Sequence, residues 1–404
     1  MGEGKEGRPN RPFAGVTVLD FGQIYQGPYA SLLLAKAGAF VIKIEPPSGE
    51  PGRRRAEPGK TVTFPFAMLN SNKHAVTLNL KTARGRELLL RMAARADVLL
   101  ENFSPGTMDS LGVGWEEMHR ANPRLIYATA SGYGISGPDR DTLAMDMTIQ
   151  AHSGVMSVNG PADGPPLRTG AIVLDFLGGI HLYAGIVTAL YDREKSGLGR
   201  LVEIAMQEAA YPTLASSFDY FFRTGKIPPR TGNRQPALNS APYNVYPATD
   251  GFVAIHIVTE AHWQKLLQAM GREDLAADSR FSSNAARVAH MDETDAVVSL
   301  WTAGLSREEI FARAKESRIP AAPVRNAAEV MNDAHMHSRG MLERIRHPEL
   351  GEIVVPTTPL RIHGTEKVAT SPAPRIGEHN ALVYGSWLGL SGDEIAALKA
   401  EGVI

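Results

Sequence analysis

Asp175 stands alone in an apolar stretch, Val173-Leu174-Asp175-Phe176-Leu177-Gly178-Gly179, with no other acid between Arg168 and Asp192. A carboxylate in such company needs a partner or a task. Two readings are compatible. Asp175 caps the helix whose pattern follows at once, or it stays ionised at that helix's positive end and serves as a nucleophile, with the nearby glycines leaving room for a substrate. A second candidate, Gly132-Tyr133-Gly134-Ile135-Ser136-Gly137, spells the dinucleotide pattern, but Pro138-Asp139-Arg140-Asp141 follows where a helix has to begin. It reads as a tight loop after a strand. His335 and His337 lie two apart in a loop-like segment, and neither a metalloprotease motif nor a G-x-S-x-G elbow is present. Arg53-Arg54-Arg55 reads as a solvated loop, or as a contact for ligand phosphates. The chain has no cysteine, which removes thiolate nucleophiles, disulfides and thiolate metal sites together. Covalent chemistry has to use oxygen or nitrogen.

The elements that must position Asp175 follow from hydrophobic periodicity. Residues 16–21 read as a strand, 29–37 as a helix and 40–45 as a strand, a βαβ unit. The pattern continues with strands over 74–80, 97–103 and 124–131 and a helix over 82–96. A long helical pattern over 178–193 ends at Ser196-Gly197 and leads into a strand over 200–206. Such alternation implies a parallel sheet covered on both faces. Residues 224–242, rich in Pro, Gly, Asn and Arg, read as a linker. Beyond it come a hairpin over 243–257 turning at Thr249-Asp250-Gly251, amphipathic helices to about 317, a Pro-rich return over 319–324, a strand pair over 353–362 and a final helix over 392–402. The expected organisation is a large domain over 1–223, a linker over 224–242, a small domain over 243–318, a return linker over 319–345, and a closing part of the large domain over 346–404.

Composition narrows the partners. At about 150 residues per domain, 404 residues exceed a single small module. With 42 Lys+Arg against 43 Asp+Glu, the net charge of -1 provides no field for nucleic acid or an anionic membrane. Residues 1–13 read as a loose polar arm with no signal-type apolar core. The densest apolar stretch, 32–44, is interrupted by Lys36 and Lys43, so no membrane helix is expected and the cytoplasm is the expected location.

Taken together, several segments resemble the class III CoA-transferase family (CaiB/BaiF type), which includes formyl-CoA and carnitine CoA-transferases and the α-methylacyl-CoA racemases. They are Val18-Leu19-Asp20-Phe21 with Gly27-Pro28-Tyr29, the run 38–47, Asn70-Ser71-Asn72-Lys73, the run 97–106, Gly377-Glu378-His379 and Gly402-Val403-Ile404. Asp175, followed by Glu194-Lys195-Ser196-Gly197-Leu198-Gly199, fits the family's nucleophile and the turn closing its helix. The resemblance implies an α/β fold: a Rossmann-like large domain with an inserted smaller α/β domain, in a homodimer of interlocked rings. It implies transfer of CoA from an acyl-CoA to a free carboxylic acid through an aspartyl anhydride and an aspartyl-CoA thioester, with CoA as substrate and product, no tightly bound cofactor and no metal. CoA-lining positions map onto Tyr25, Gln26, Leu78, Asn79, Leu80, Lys81, Asn102, Phe103, Ser104, Leu143, Ala144, Met145 and Asp146. Tyr25, Gln26, Asp146 and Glu260 are the implied supporting groups.

The departures separate the relatives. The family's usual Gln falls at Tyr25, with Gln26 beside it, and Pro46 replaces a basic residue. Racemases place a His where Met145 stands, and Met cannot exchange a proton, although Glu260 falls at their acidic partner. A racemase is therefore the alternative. The glycine run of formyl-CoA transferases is missing from 232–243, which has one Gly, so oxalate and formate are disfavoured.

Overall fold

The computed structural model describes residues 10–404; residues 1–9 of the expected arm lie outside the described residues. Two compact units emerge, one from residues 10–152, 171–210 and 333–404, the other from 153–170 and 211–332.

In the first unit the chain runs through β1 (Thr17–Asp20), α1 (Gln26–Lys36), β2 (Phe40–Glu45), β3 (His74–Thr77), α2 (Ala83–Ala93), β4 (Val98–Glu101), β5 (Ile126–Ser131), the short α3 (Asp146–His152), the 24-residue α4 (Val173–Ser196) and β6 (Leu201–Ala205). The strands form one parallel sheet in the order β3-β2-β1-β4-β5-β6. This is the doubly wound order, and its reversal between β1 and β4 opens a crevice at the carboxyl ends of those strands.

Alternation along each strand builds two cores. Val18, Val41, Val98, Leu100, Ile126 and Ala128 pack against Ala30 and Leu34 of α1 and Leu182 and Ile186 of α4. On the other face Leu19, Ile42, Val76, Leu99 and Tyr127 meet Leu88, Leu89 and Met92 of α2, with Val383, Tyr384 and Leu398 from the C-terminal segment. By length and composition alone α4 is apolar enough to cross a membrane, but Leu182, Ile186, Ala189 and Leu190 bury one of its faces in the core against the sheet. Gly, His and Thr interrupt its apolar run and hide it from a count of consecutive apolar residues. Its end explains the glycines of the 194–199 turn: Gly197 caps the helix at φ 74°, and a side chain on Gly199 would collide with the Leu125 carbonyl oxygen.

The second unit holds the expected hairpin, β7 (Tyr243–Ala248) and β8 (Gly251–His256), with β9 (Ala321–Pro323) added antiparallel to β8. Helices Glu260–Met270, Met291–Thr302 and Arg307–Ser317 accompany this sheet, with Trp263, Leu266, Phe281, Val298 and Ile310 in the core. β9 falls in the stretch read as return linker, and the helix Ala215–Thr224 lies ahead of the stretch read as small domain. Back in the first unit, β10 (Leu342–His347) and β11 (Gly351–Pro356) form an antiparallel hairpin. It lies earlier than the expected 353–362 pair because the turn is made just before Gly351, at φ 72°.

Candidate active site

Asp175 sits in the first turn of α4, but it does not cap the helix. Ile172 occupies the cap position and makes no side-chain bond there. The cap comes from a different element: Asp146, opening α3, accepts the backbone N–H of Leu174 at 2.8 Å and of Asp175 at 3.2 Å through Oδ2. One turn along α3, the buried Gln150 donates Nε2 to Asp146 Oδ1 at 2.5 Å. Sequence reading missed Gln150. Its i,i+4 spacing from Asp146 was the available signal. Burial, and then the nearby Asp146 carboxylate, push Asp175 up to about 7, far above an ordinary aspartate.

Gln26 meets the same helix. A side chain on Gly178 would run into Gln26 Nε2, and one on Gly179 would lie 2.7 Å from the Gln26 carbonyl oxygen. The two glycines therefore admit Gln26 and α1, not a substrate as expected from sequence. Gln26 is 2% exposed, yet its Nε2 has no hydrogen-bond partner among the described residues. Leaving such a donor unsatisfied costs about 1–3 kcal/mol, so the group is poised for an oxygen supplied by a ligand. The Tyr25 ring lies 6.0 Å and the Tyr29 ring 4.8 Å from Phe176, next to Asp175.

The loop before α1 is tied to the strand ends on both sides of the crevice. Asn102, just past β4, accepts Gln23 N–H at 2.6 Å and donates to the Gln23 carbonyl at 3.1 Å. Asp20, at the end of β1, accepts Gly22 N–H at 2.7 Å, Ser31 Oγ at 2.7 Å and Lys73 Nζ at 2.9 Å. Burial raises the Asp20 carboxyl, but Lys73, Lys43 and the Ser31 bond outweigh it and hold the group below the usual range.

The remaining expected positions divide. Asn79 is fixed to the C-terminal segment, its N–H on the Val403 carbonyl at 2.7 Å and its Nδ2 on that of Gly402 at 3.2 Å, while its Oδ1 accepts Lys81 N–H at 3.1 Å. This turn leaves the Lys81 side chain exposed. Leu80 offers its carbonyl to Arg86 at 3.2 Å. Leu78, at 2% exposure, belongs to the core and can line a ligand only through its backbone, a correction to the sequence reading. Phe103 packs against that core beside Phe21, and Ser104 is exposed. Leu143 is 81% and Met145 65% exposed, with Ala144 between them so close to Gly132 that a side chain there would clash. No helix starts within the 132–137 loop; Gly132 serves this packing, while Gly134 and Gly137 turn the chain at φ 92° and 83°.

Glu260 lies in the second unit, at the start of the helix Glu260–Met270. Arg287 holds its carboxylate at 2.9 and 3.1 Å and Asn284 N–H donates to it at 2.6 Å. The Arg287 bonds keep Glu260 below the usual carboxylate range. Of the three arginines, Arg53 is buried, paired with Glu45 at 2.7 Å and stacked on Phe66, so a solvated loop is not its setting. Among the described residues no group of three or more His, Asp or Glu side chains is placed to hold a metal ion.

The fold and this site define a doubly wound α/β protein with a carboxylate and an unsatisfied amide donor on neighbouring helices. The family model for CoA-transferase family III matches residues 13–380. The chain belongs to CoA-transferase family III and is an enzyme of that class. It is 36% identical over 403 residues to the succinyl-CoA–D-citramalate CoA-transferase of Chloroflexus aurantiacus, covering 98% of this chain and 99% of that one. It is 37% identical over 413 residues to the formyl-CoA:oxalate CoA-transferase of Streptomyces avermitilis, covering 96% and 98%. The crystal structure of a CAIB/BAIF family protein from Brucella suis superposes with a TM-score of 0.83 at 31% identity, over 94% of this chain and 100% of that one.

Proposed function

We propose that CoA passes from an acyl-CoA to a small carboxylic acid through Asp175. An Asp175 oxygen attacks the thioester carbonyl, giving a mixed anhydride and free CoA thiolate. The thiolate attacks the aspartyl carbonyl, the donor leaves as a free carboxylate, and Asp175 carries CoA as a thioester. The acceptor carboxylate then attacks this thioester, and the released thiolate attacks the acceptor's carbonyl in the new anhydride, freeing Asp175 and the product acyl-CoA. The activated acyl group moves between carboxylates with little loss of energy, provided water is kept away.

The observation carrying this reading is the unpartnered Gln26 Nε2, packed on Gly178 one turn below Asp175. A donor satisfied only by ligand oxygen suits the negative charge that develops as a thioester carbonyl turns tetrahedral. The turn carrying Lys81, the Asn102–Ser104 segment and the 143–146 segment supply the coenzyme's contacts in this reading. Succinyl-CoA is the donor to test first, with a panel of short mono- and dicarboxylic acids as acceptors. The protein acts in the cytoplasm as a homodimer of interlocked rings.

Asp175→Ala should abolish transfer while thermal unfolding stays within a few degrees of the parent. Incubation of the parent protein with succinyl-CoA should leave a hydroxylamine-labile CoA adduct on Asp175, located by mass spectrometry. Near-normal transfer by the variant would refute the assignment.

A further inference from the structure

The loop leading into Tyr25 and Gln26 contains the most unusual backbone of the site. Ile24 has φ of 63°, a left-handed conformation in which a β-branched residue is an outlier. Its N–H donates to Glu50 Oε2 at 3.2 Å, which also accepts Gly52 N–H at 3.1 Å. Glu50 is 2% exposed. Its Oε1 has no hydrogen-bond partner and faces Lys43 Nζ at 3.9 Å. Lys43, on β2 and equally buried, donates to the Gly22 carbonyl. With Asn102 holding Gln23, each of the three residues Gly22, Gln23 and Ile24 is gripped by a side chain distant in sequence. An outlying conformation persists when its surroundings over-determine it, and such residues cluster at functional sites.

We infer that Glu50 is a positioning residue for CoA transfer: it holds Ile24 left-handed, so that the chain enters α1 with the Gln26 carboxamide against Gly178. This rests on the reading of Gln26 and Asp175 as the reacting pair. The Glu50–Lys43 pair looks like a structural ion pair, but its bonds end on the backbone of the loop that delivers Gln26. Removing Glu50 lets Ile24 relax to negative φ and rotates the start of α1. The Lys81 turn and the 143–146 segment, which supply coenzyme contacts in this reading, make no bond to this loop, so kcat falls while KM for the acyl-CoA holds.

The test is steady-state transfer from succinyl-CoA to the fastest acceptor of the acid panel. Glu50→Ala should lower kcat about a hundredfold with KM for succinyl-CoA changed less than about threefold. Glu50→Gln keeps an acceptor for the Ile24 N–H and should recover most of that loss. Glycine adopts positive φ without support, so adding Ile24→Gly to Glu50→Ala should restore kcat about tenfold or more. Ile24→Pro can neither donate nor take positive φ, while leaving Glu50 and Lys43 in place, and should be as slow as Glu50→Ala. It reads the loop even if Glu50→Ala fails to fold. A double variant no faster than Glu50→Ala, or Ile24→Pro at parental kcat, overturns the inference. Asp175→Ala runs alongside: if it retains transfer, the Asp175 reading fails, whatever the Glu50 series shows.

Discussion

Asp175 is a carboxylate whose charged form is disfavoured, first by burial and then by Asp146. Its folded value of about 7 exceeds the unfolded one, so between the two the folded state binds more protons. Stability is therefore lost as pH rises from about 4 to about 7, and the loss is complete above that range. Asp175→Asn removes it. The variant should melt above the parent at pH 8 and converge with it below about pH 4, which calorimetry across that range will show. If Asp175 is the nucleophile, as proposed, activity runs the other way, because it must be ionised to attack: kcat/KM should rise through a pH of about 7. The lone acid was legible in the sequence. Its cap was not, because Asp146 reaches it from a different helix and sequence offsets report only local caps.

At the scale of elements, α1 and α4 meet through Gly178 and Gly179, and the two glycines predict different outcomes. A methyl on Gly179 meets the Gln26 backbone, which cannot step aside. Gly179→Ala should destabilise the fold by about 1–3 kcal/mol, read from urea unfolding. A methyl on Gly178 meets the movable end of the Gln26 side chain. Gly178→Ala should keep most of its stability and lose transfer activity, with kcat the affected parameter. Strands β1 to β6 were all legible in the sequence, β2 at both ends, but β3, β4 and β5 were read too long because apolar residues continue into the flanking loops. The hairpin of β10 and β11 was misplaced because Leu342-Glu343-Arg344-Ile345-Arg346-His347 mixes charge into both faces. Glu50 was invisible for a related reason: Pro, Gly, Ser and Arg around it read as a solvated loop, whereas Arg53 and Glu45 turn that loop inward.

For the whole molecule, the near-neutral charge leaves coenzyme recognition, in the proposed reaction, to local groups such as the exposed Lys81 and the backbone of the strand-end turns. The isolated chain exposes large apolar side chains, among them Ile180 and Tyr191 on α4 in the first unit, and Phe222 and Ile227 in the second, at 82% and 85%. The proposed interlocked dimer has a use for them, and it makes a topological prediction. Subunits threaded through each other cannot exchange without unfolding, so two differently tagged preparations mixed under native conditions should yield no hybrid. Unfolding and refolding them together should yield hybrid dimers, seen by native mass spectrometry. Rapid native exchange would rule out the threading. Domain limits were the least legible feature, because segments such as 153–170 join a unit far from them in sequence.

The Asp146 carboxylate beside the first turn of α4 also bears on what the enzyme does between turnovers. In the proposed reaction, each conversion of Asp175 from carboxylate to thioester removes one of two neighbouring negative charges and releases the other from repulsion. The equilibrium constant for loading is raised accordingly. A preparation supplied with acyl-CoA but no acceptor should rest as a charged reservoir, holding its coenzyme until an acid arrives.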